Sequence, residues 1–494
     1  MRDARIFGAA ALLLALCVAD GPAGGQTPPP PGGRRGPGGG RDHRGPGGSN
    51  YFNLAFPAQP LDFLLARPEA RSMTLSVQSA AALEGYATWG TNTPADTGRS
   101  PVRRFAAGSP AEIEMTGLRP DHGYQYEFWS RAVDAESAAP FTNAPAGAFH
   151  TARASGAAFT FTLTADAHLD EHTSPGVYQR TLANVRADGP DFHLDLGNLF
   201  MTDKHADRDS AARHYAAERY YLSRIGDRVP VLLALGVHDG ESARDDDGSP
   251  NSLAAWSRSQ RTRVFPNPVP DTFYTGNTQL PPGGGHYQNY FAFEWGDAQF
   301  VVLDPFRYSV RQRGGGDGWA WSLGREQYDW LARSLSGSKA RFKFVFLHNL
   351  LSGDQASRGG VEIAGFNEWG GRNRDGTPGF AEHRPGWPAP VHELLRRHGV
   401  TVVFKAHDNF FAHQELDGIV YEMVPQPSFA GDTRVRDREN YGYQVGDLLG
   451  NSGYVRVRVG PAAAELDYVQ TPQRGSAPPT VAHHAVVSAR SGSR

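Results

Sequence analysis

What most constrains the fold of this chain is one recurring device. An apolar, β-branched or aromatic run stops abruptly in a residue able to bind a metal or move a proton. Phe159 to His168 reads FTFTLTADAH, a buried-strand pattern that ends in Asp166 and His168. DFHLDLGN (191–198) ends in Asn198, and VPVLLALG (229–236) runs into Val237, His238 and Asp239. FKFVFLH (342–348) ends in His348, and VTVVFKAHDN (400–409) ends in His407 and Asn409. In open α/β sheets, ligands bind in the crevice beyond the carboxyl ends of the strands. One apolar strand that ends in His is unremarkable, but five within one stretch point to a common site.

Between these runs, helical stretches are expected over 176–187, 209–225 and 390–398, with further strands at FVVLD (300–304) and GIVYEMV (418–424). Alternating strands and helices predict a layered α/β domain. NSGYVRVRV (451–459) and AAELDYVQT (463–471) read as a closing hairpin, and 473–494 as a loose tail.

The chain has 494 residues, too many for one ordinary core. Arg2 and Arg5 precede an apolar run, Ile6 to Leu16, in the pattern of a secretory signal peptide cleaved after Ala19 or Ala23. That run is too short to span a membrane. Cys17, the one cysteine, lies inside it, and the bulky Leu16 before it argues against lipoprotein anchoring. The mature chain therefore has no disulfide, although its address is periplasmic or extracellular. Residues 24–50 are Gly, Pro and Arg with almost nothing to bury, a disordered linker. A formal net charge of −3 gives no steering towards nucleic acid.

From 51 to 152 the pattern changes to short alternating runs, such as SMTLSVQ, AEIEMTGL and YQYEFWSR, which predict a β-sandwich. TGLRPDHGYQYEFW places a Leu and a Pro before the Tyr that opens a strand. This resembles the tyrosine corner of fibronectin type III domains.

Over 159–425 the spaced polar blocks resemble those of the calcineurin-like metallophosphoesterases. With the sandwich in front, the layout is similar to that of purple acid phosphatases. The family's blocks run D-x-H, G-D, G-N-H-[DE], a lone His and G-H-x-H, and they hold two divalent metals. The resemblance implies two sheets between helices in a domain over 153–472. It implies that Asp166 and His168 hold the first metal and His348 and His407 the second. His238, oriented by Asp239, would stabilise the transition state or protonate the leaving group.

Three positions depart from the pattern. Asn198 stands where the family has its bridging Asp, Val237 where it has a ligand Asn, and Asn409 where it has its last His. LGNLFMTD also lacks the tyrosine that an iron(III)-binding purple enzyme needs. An amide has one useful oxygen and cannot bridge two cations as a carboxylate does. Asn198 and Asn409 are therefore expected as weak amide ligands, and Asp170, Glu171, His172, Asp203 and His205 are the nearby polar residues able to substitute. The expected cofactor is a divalent metal, Mn, Mg, Zn, Ca or Fe, as one ion or two. Two functions stay open: hydrolysis of a small phosphoester at a weakened or single-metal centre, or a pseudoenzyme that binds without turnover.

Overall fold

The computed structural model describes residues 51–490 except 94–95, 134–138, 145–146, 311–317, 353–357, 432–434, 436–437, 451 and 476. The expected signal peptide (1–23) and the whole of the expected linker (24–50) lie outside the described residues.

Two sheets stack to form the large domain. The first has six strands in the order 231–233, 192–195, 159–164, 453–459, 463–470 and 480–488. The second has eight, in the order 275–276, 291–295, 298–302, 342–346, 402–405, 419–423, 411–416 and 447–449. The strands that end in candidate site residues are the parallel ones. Phe159–Thr164 pairs in parallel with Phe192–Asp195, which pairs in parallel with Val231–Leu233. Phe342–Phe346 pairs in parallel with Val402–Lys405. Parallel pairing brings the carboxyl ends of each set to one side, which is why five separate sequence blocks converge.

The space between the sheets is filled with aromatic rings. Phe161, Phe192, Phe300, Phe344, Phe346 and Phe404 are fully buried there. Phe346 stacks on Phe404 with centroids 5.1 Å apart. Offset-stacked and edge-on pairs of this kind add about 0.5–1.5 kcal/mol each beyond their burial. Helices Pro175–Asp188, Arg208–Gly226 and Leu253–Val264 cover the outside of the first sheet, and Gly324–Gly337 and Val391–Arg397 cover the second. Ser174 caps the first helix by accepting from the Val177 N–H, and Gly189 ends it at φ 57°.

The N-terminal sandwich forms as two facing sheets. One contains Leu61–Ala66, Met73–Ser79 and Ala111–Met115, and the other is built on Leu83–Gly90 and Gly123–Ala132. The Tyr124 hydroxyl accepts from the Arg119 N–H at 2.8 Å, so the corner foreseen from the sequence is present as a hydrogen bond. The sandwich is not detached, because Ser49–Arg494 forms one compact unit. Buried Arg219, on the 208–226 helix, donates to Asp62 at 2.6 Å and to Ser76 at 3.1 Å across the junction.

One expectation is corrected. Part of the tail read as loose, 473–494, is a strand. Thr480–Ser488 pairs antiparallel with Ala463–Gln470 and closes the six-stranded sheet. Its alternating TVAHHAVVS is an edge-strand pattern, half exposed, and its pairing satisfies the backbone of the hairpin beside it.

Candidate metal centre

Asp166 is the centre of the site. It is 0% exposed, and its two oxygens face groups from four different loops. Oδ1 accepts from Asn198 Nδ2 at 2.9 Å and meets His168 Nε2 at 3.2 Å. His348 Nε2 lies 3.6 Å from the same oxygen. Oδ2 accepts from the His407 backbone N–H at 2.9 Å. Burial alone would raise this carboxyl, but the His168 ring and the His407 N–H outweigh it and hold it below the usual carboxylate range.

The loops that carry these groups take an unusual backbone. Asp166, His168, Asn198, His407 and Asn409 have φ of 62°, 57°, 56°, 85° and 65°. Asp, Asn and His are the non-glycine residues that best tolerate this left-handed region, and such residues cluster at functional sites. Gly197 and Gly236 let two of these loops touch. A Cβ on Gly236 would sit 2.0 Å from the Asn198 nitrogen, so only glycine fits.

The Asn198 amide has one possible orientation. Its Oδ1 accepts from the His238 backbone N–H at 2.9 Å, and its Nδ2 must then face the Asp166 carboxylate. The oxygen foreseen as a metal ligand is thus spent on the backbone, and the nitrogen that faces the centre is no donor to a metal. Val237 gives nothing in its place, since it packs with Leu235 and Phe306. Asn409 has a buried Oδ1 without a hydrogen-bond partner.

His348 is prepared differently. Its Nδ1 donates to the Leu196 carbonyl at 2.8 Å, which leaves a bare lone pair on buried Nε2. Burial pushes this ring down to about 4, so it stays neutral. A neutral imidazole fixed by a carbonyl is the usual state of a metal-ligating histidine. The His407 ring lies beside it, with centroids 5.3 Å apart. His168 sits between two carboxylates, Asp166 and Asp170 (3.4 Å from its Nδ1). Burial opposes its protonation, but these two anions hold it up at about 9.

The catalytic pair expected from sequence is half corrected. Asp239 does not touch the His238 ring. Its carboxylate accepts from the backbone N–H groups of Phe200 (2.9 Å), Asn198 (3.0 Å) and Gly236 (2.7 Å). Burial pushes its carboxyl up to about 7 against those three bonds. Asp239 is therefore a loop organiser. The carboxylate beside His238 is Asp203, with both oxygens 3.1 Å from Nδ1. Arg244 pairs with Asp203 from behind and donates to the Val237 carbonyl. Asp203 lies 35 residues before His238 on a short turn, and nothing in its local sequence marks the pairing. His238 keeps 20% of its side chain exposed, consistent with a group that faces a ligand.

Of the other suggested substitutes, Asp170 serves His168, while Glu171 and His172 face each other on the surface. His205 is held by Ser210 and His214. Two unforeseen groups hold the D-x-H loop. Gln426 donates to the Asp166 carbonyl at 2.8 Å, and Ser428 to the Ala167 carbonyl at 2.7 Å. Asp408 fixes the His407 loop by accepting from Tyr443 at 2.7 Å and the Gly359 N–H at 3.1 Å.

No family model and no curated protein matches the sequence. Solved structures match the fold. PhoD is 17% identical with a TM-score of 0.60, covering 90% of this chain and 91% of its own. A purple acid phosphatase from yellow lupin (Lupinus luteus) seeds is 12% identical with a TM-score of 0.58, covering 87% of this chain and 74% of its own. The fold is thus the layered metallophosphoesterase fold foreseen from the spaced blocks.

Proposed function

We propose that this chain is an exported phosphoester hydrolase of the metallophosphoesterase fold, working with one divalent cation where the family that its spaced blocks resemble holds two. The supporting observation is the pair Asp166 Oδ1 and His348 Nε2. Two electron-rich atoms face each other 3.6 Å apart, both buried, with the imidazole proton committed to Leu196. A cation held here would satisfy both. Asp166, His168, His348 and His407 are the residues that would hold it, with His168 giving up a proton in exchange. A second cation lacks its bridge, because the amide nitrogen of Asn198 faces Asp166.

When bound, the cation supplies positive charge to a phosphoryl oxygen and acidity to a coordinated water. The chain's own residues do the rest. Asp203 holds Nδ1 of His238, which leaves Nε2 to carry a proton to the leaving oxygen of a small phosphoester. Asp239 keeps the 198–200 and 236 loops together so that His238 and Asp166 stay in register.

One observation favours a second reading, a pseudoenzyme that binds without turnover. Asn198, His168 and the His407 N–H already donate to Asp166, so its charge is balanced by protein alone.

The same proposal gives the chain a signal peptide (1–23), a linker (24–50), a fibronectin type III-like sandwich (51–152) and a catalytic domain from 153. The Tyr124 corner supports the sandwich assignment.

The test measures bound metal per chain and turnover of an aryl phosphate with added manganese. It compares the native chain with an Asn198→Asp, Val237→Asn, Asn409→His triple variant. The native chain should turn over more slowly than the variant. Two metals lost on adding Asp166→Ala, together with equal turnover in the native chain, would refute the one-cation reading, and no metal lost on Asp166→Ala in either would refute the phosphoesterase reading itself.

A further inference from the structure

A second cluster of metal-binding groups lies where the two sheets of the large domain close on each other, made of residues the phosphoesterase reading does not use. On the eight-stranded sheet, His413 sits directly opposite Glu422 on one neighbouring strand and opposite Asp447 on the other. Side chains directly opposite on adjacent strands share a face. From the six-stranded sheet, the edge strand Thr480–Ser488 brings in His483, whose ring lies 4.7 Å from that of His413 at 37°. Ligand atoms of His413, Glu422 and His483 all lie within 4.8 Å of one another.

Hydrogen bonding within the cluster leaves two polar atoms stranded. His413 Nδ1 meets Glu422 Oε2 at 2.6 Å, which accounts for one carboxylate oxygen. Glu422 Oε1 has no hydrogen-bond partner, and the residue is 0% exposed. His483 Nε2 lies 3.1 Å from Asp447 Oδ2, a contact that needs the ring proton on Nε2. Its Nδ1 is then a bare lone pair, buried and without a partner. A simple His413–Glu422 ion pair explains neither atom. Leaving a buried polar atom unsatisfied is costly, and native structures hold few of them.

We propose that His413, Glu422 and His483 form a structural site for a divalent metal of the zinc class, with Asp447 orienting His483 from behind. Two imidazoles and one carboxylate are a borderline donor set that suits zinc. A carboxylate on the far nitrogen of a ligating histidine is the arrangement that fixes its tautomer. The metal staples the exposed edge strand 480–488 to the opposite sheet. Beside it, Phe411 of one sheet stacks on Tyr468 of the other at 4.5 Å, so the staple sits at the seam.

The experiment uses the full chain carrying Asp166→Ala and His348→Ala, which removes ligands of the phosphoesterase centre. Zinc content after dialysis, the zinc-dependent rise in melting temperature and the visible spectrum with cobalt(II) are measured. One retained zinc, a rise that a chelator reverses, and tetrahedral cobalt bands are expected. Adding His413→Gln or His483→Gln should abolish all three. Asp447→Asn should weaken zinc binding about 10- to 100-fold. Zinc content unchanged by either His→Gln substitution would overturn the site. So would absent cobalt bands in the chain whose cluster is intact, a readout that does not depend on any cluster variant folding.

Discussion

Asn198 donates from Nδ2 to Asp166 Oδ1 over 2.9 Å, while its own oxygen accepts from the His238 backbone N–H. One amide therefore closes the position where a bridging carboxylate would hold two metals. It supplies a hydrogen bond where that carboxylate would supply a charge.

Asn198→Asp tests this directly. It sets two carboxylates against each other in a buried site. In chelator the variant should lose about 3–5 kcal/mol of stability, the cost of an uncompensated buried charge. Added manganese should restore it and stabilise the variant more than the native chain. Denaturant unfolding with and without metal measures both.

Asp203 and Asp239 should separate cleanly. Asp203→Asn removes the anion beside Nδ1 of His238 and should lower turnover of an aryl phosphate about 10²-fold with little change in KM. Asp239→Asn loses acceptor capacity for three backbone N–H groups and should cost about 1–3 kcal/mol of stability. Steady-state kinetics and unfolding on both variants check the division.

Tyr124→Phe leaves the Arg119 N–H without its acceptor. The loss should be about 1–3 kcal/mol, confined to stability, with metal content unchanged.

His193 gives a pH prediction away from the centre. It is buried between Thr162 and Thr164, and burial pushes it down to about 3 from an ordinary 6.5. The unfolded chain takes up a proton below about 6.5 that the fold refuses. The stability this contributes is complete above that pH and is lost as pH falls, at about 1.4 kcal/mol per unit. His193→Gln should flatten the slope between pH 6.5 and 3 by one proton, measured by unfolding across that range.

The convergence of the site was legible in the sequence because apolar strands can end in only a few ways. Phe159–Thr164 and Val402–Lys405 announce their tips, Asp166 and His407, through composition alone. What stayed hidden depends on long-range contact. Asp203 reaches His238 only because the chain folds back over 35 residues. Asp239, adjacent to His238 in sequence, was the natural guess, yet its carboxylate turns to the backbone. The orientation of the Asn198 amide is set by a His238 N–H from a different loop. The 480–488 strand is hard to see in the sequence because two histidines dilute its period-two pattern, and one of them, His483, is held by Asp447.

Electron paramagnetic resonance of the manganese-loaded chain carrying His413→Gln and His483→Gln separates one cation at Asp166 from two. The six-line signal of an isolated manganese ion is expected, abolished by Asp166→Ala. An exchange-coupled spectrum from a manganese pair would refute the one-cation centre.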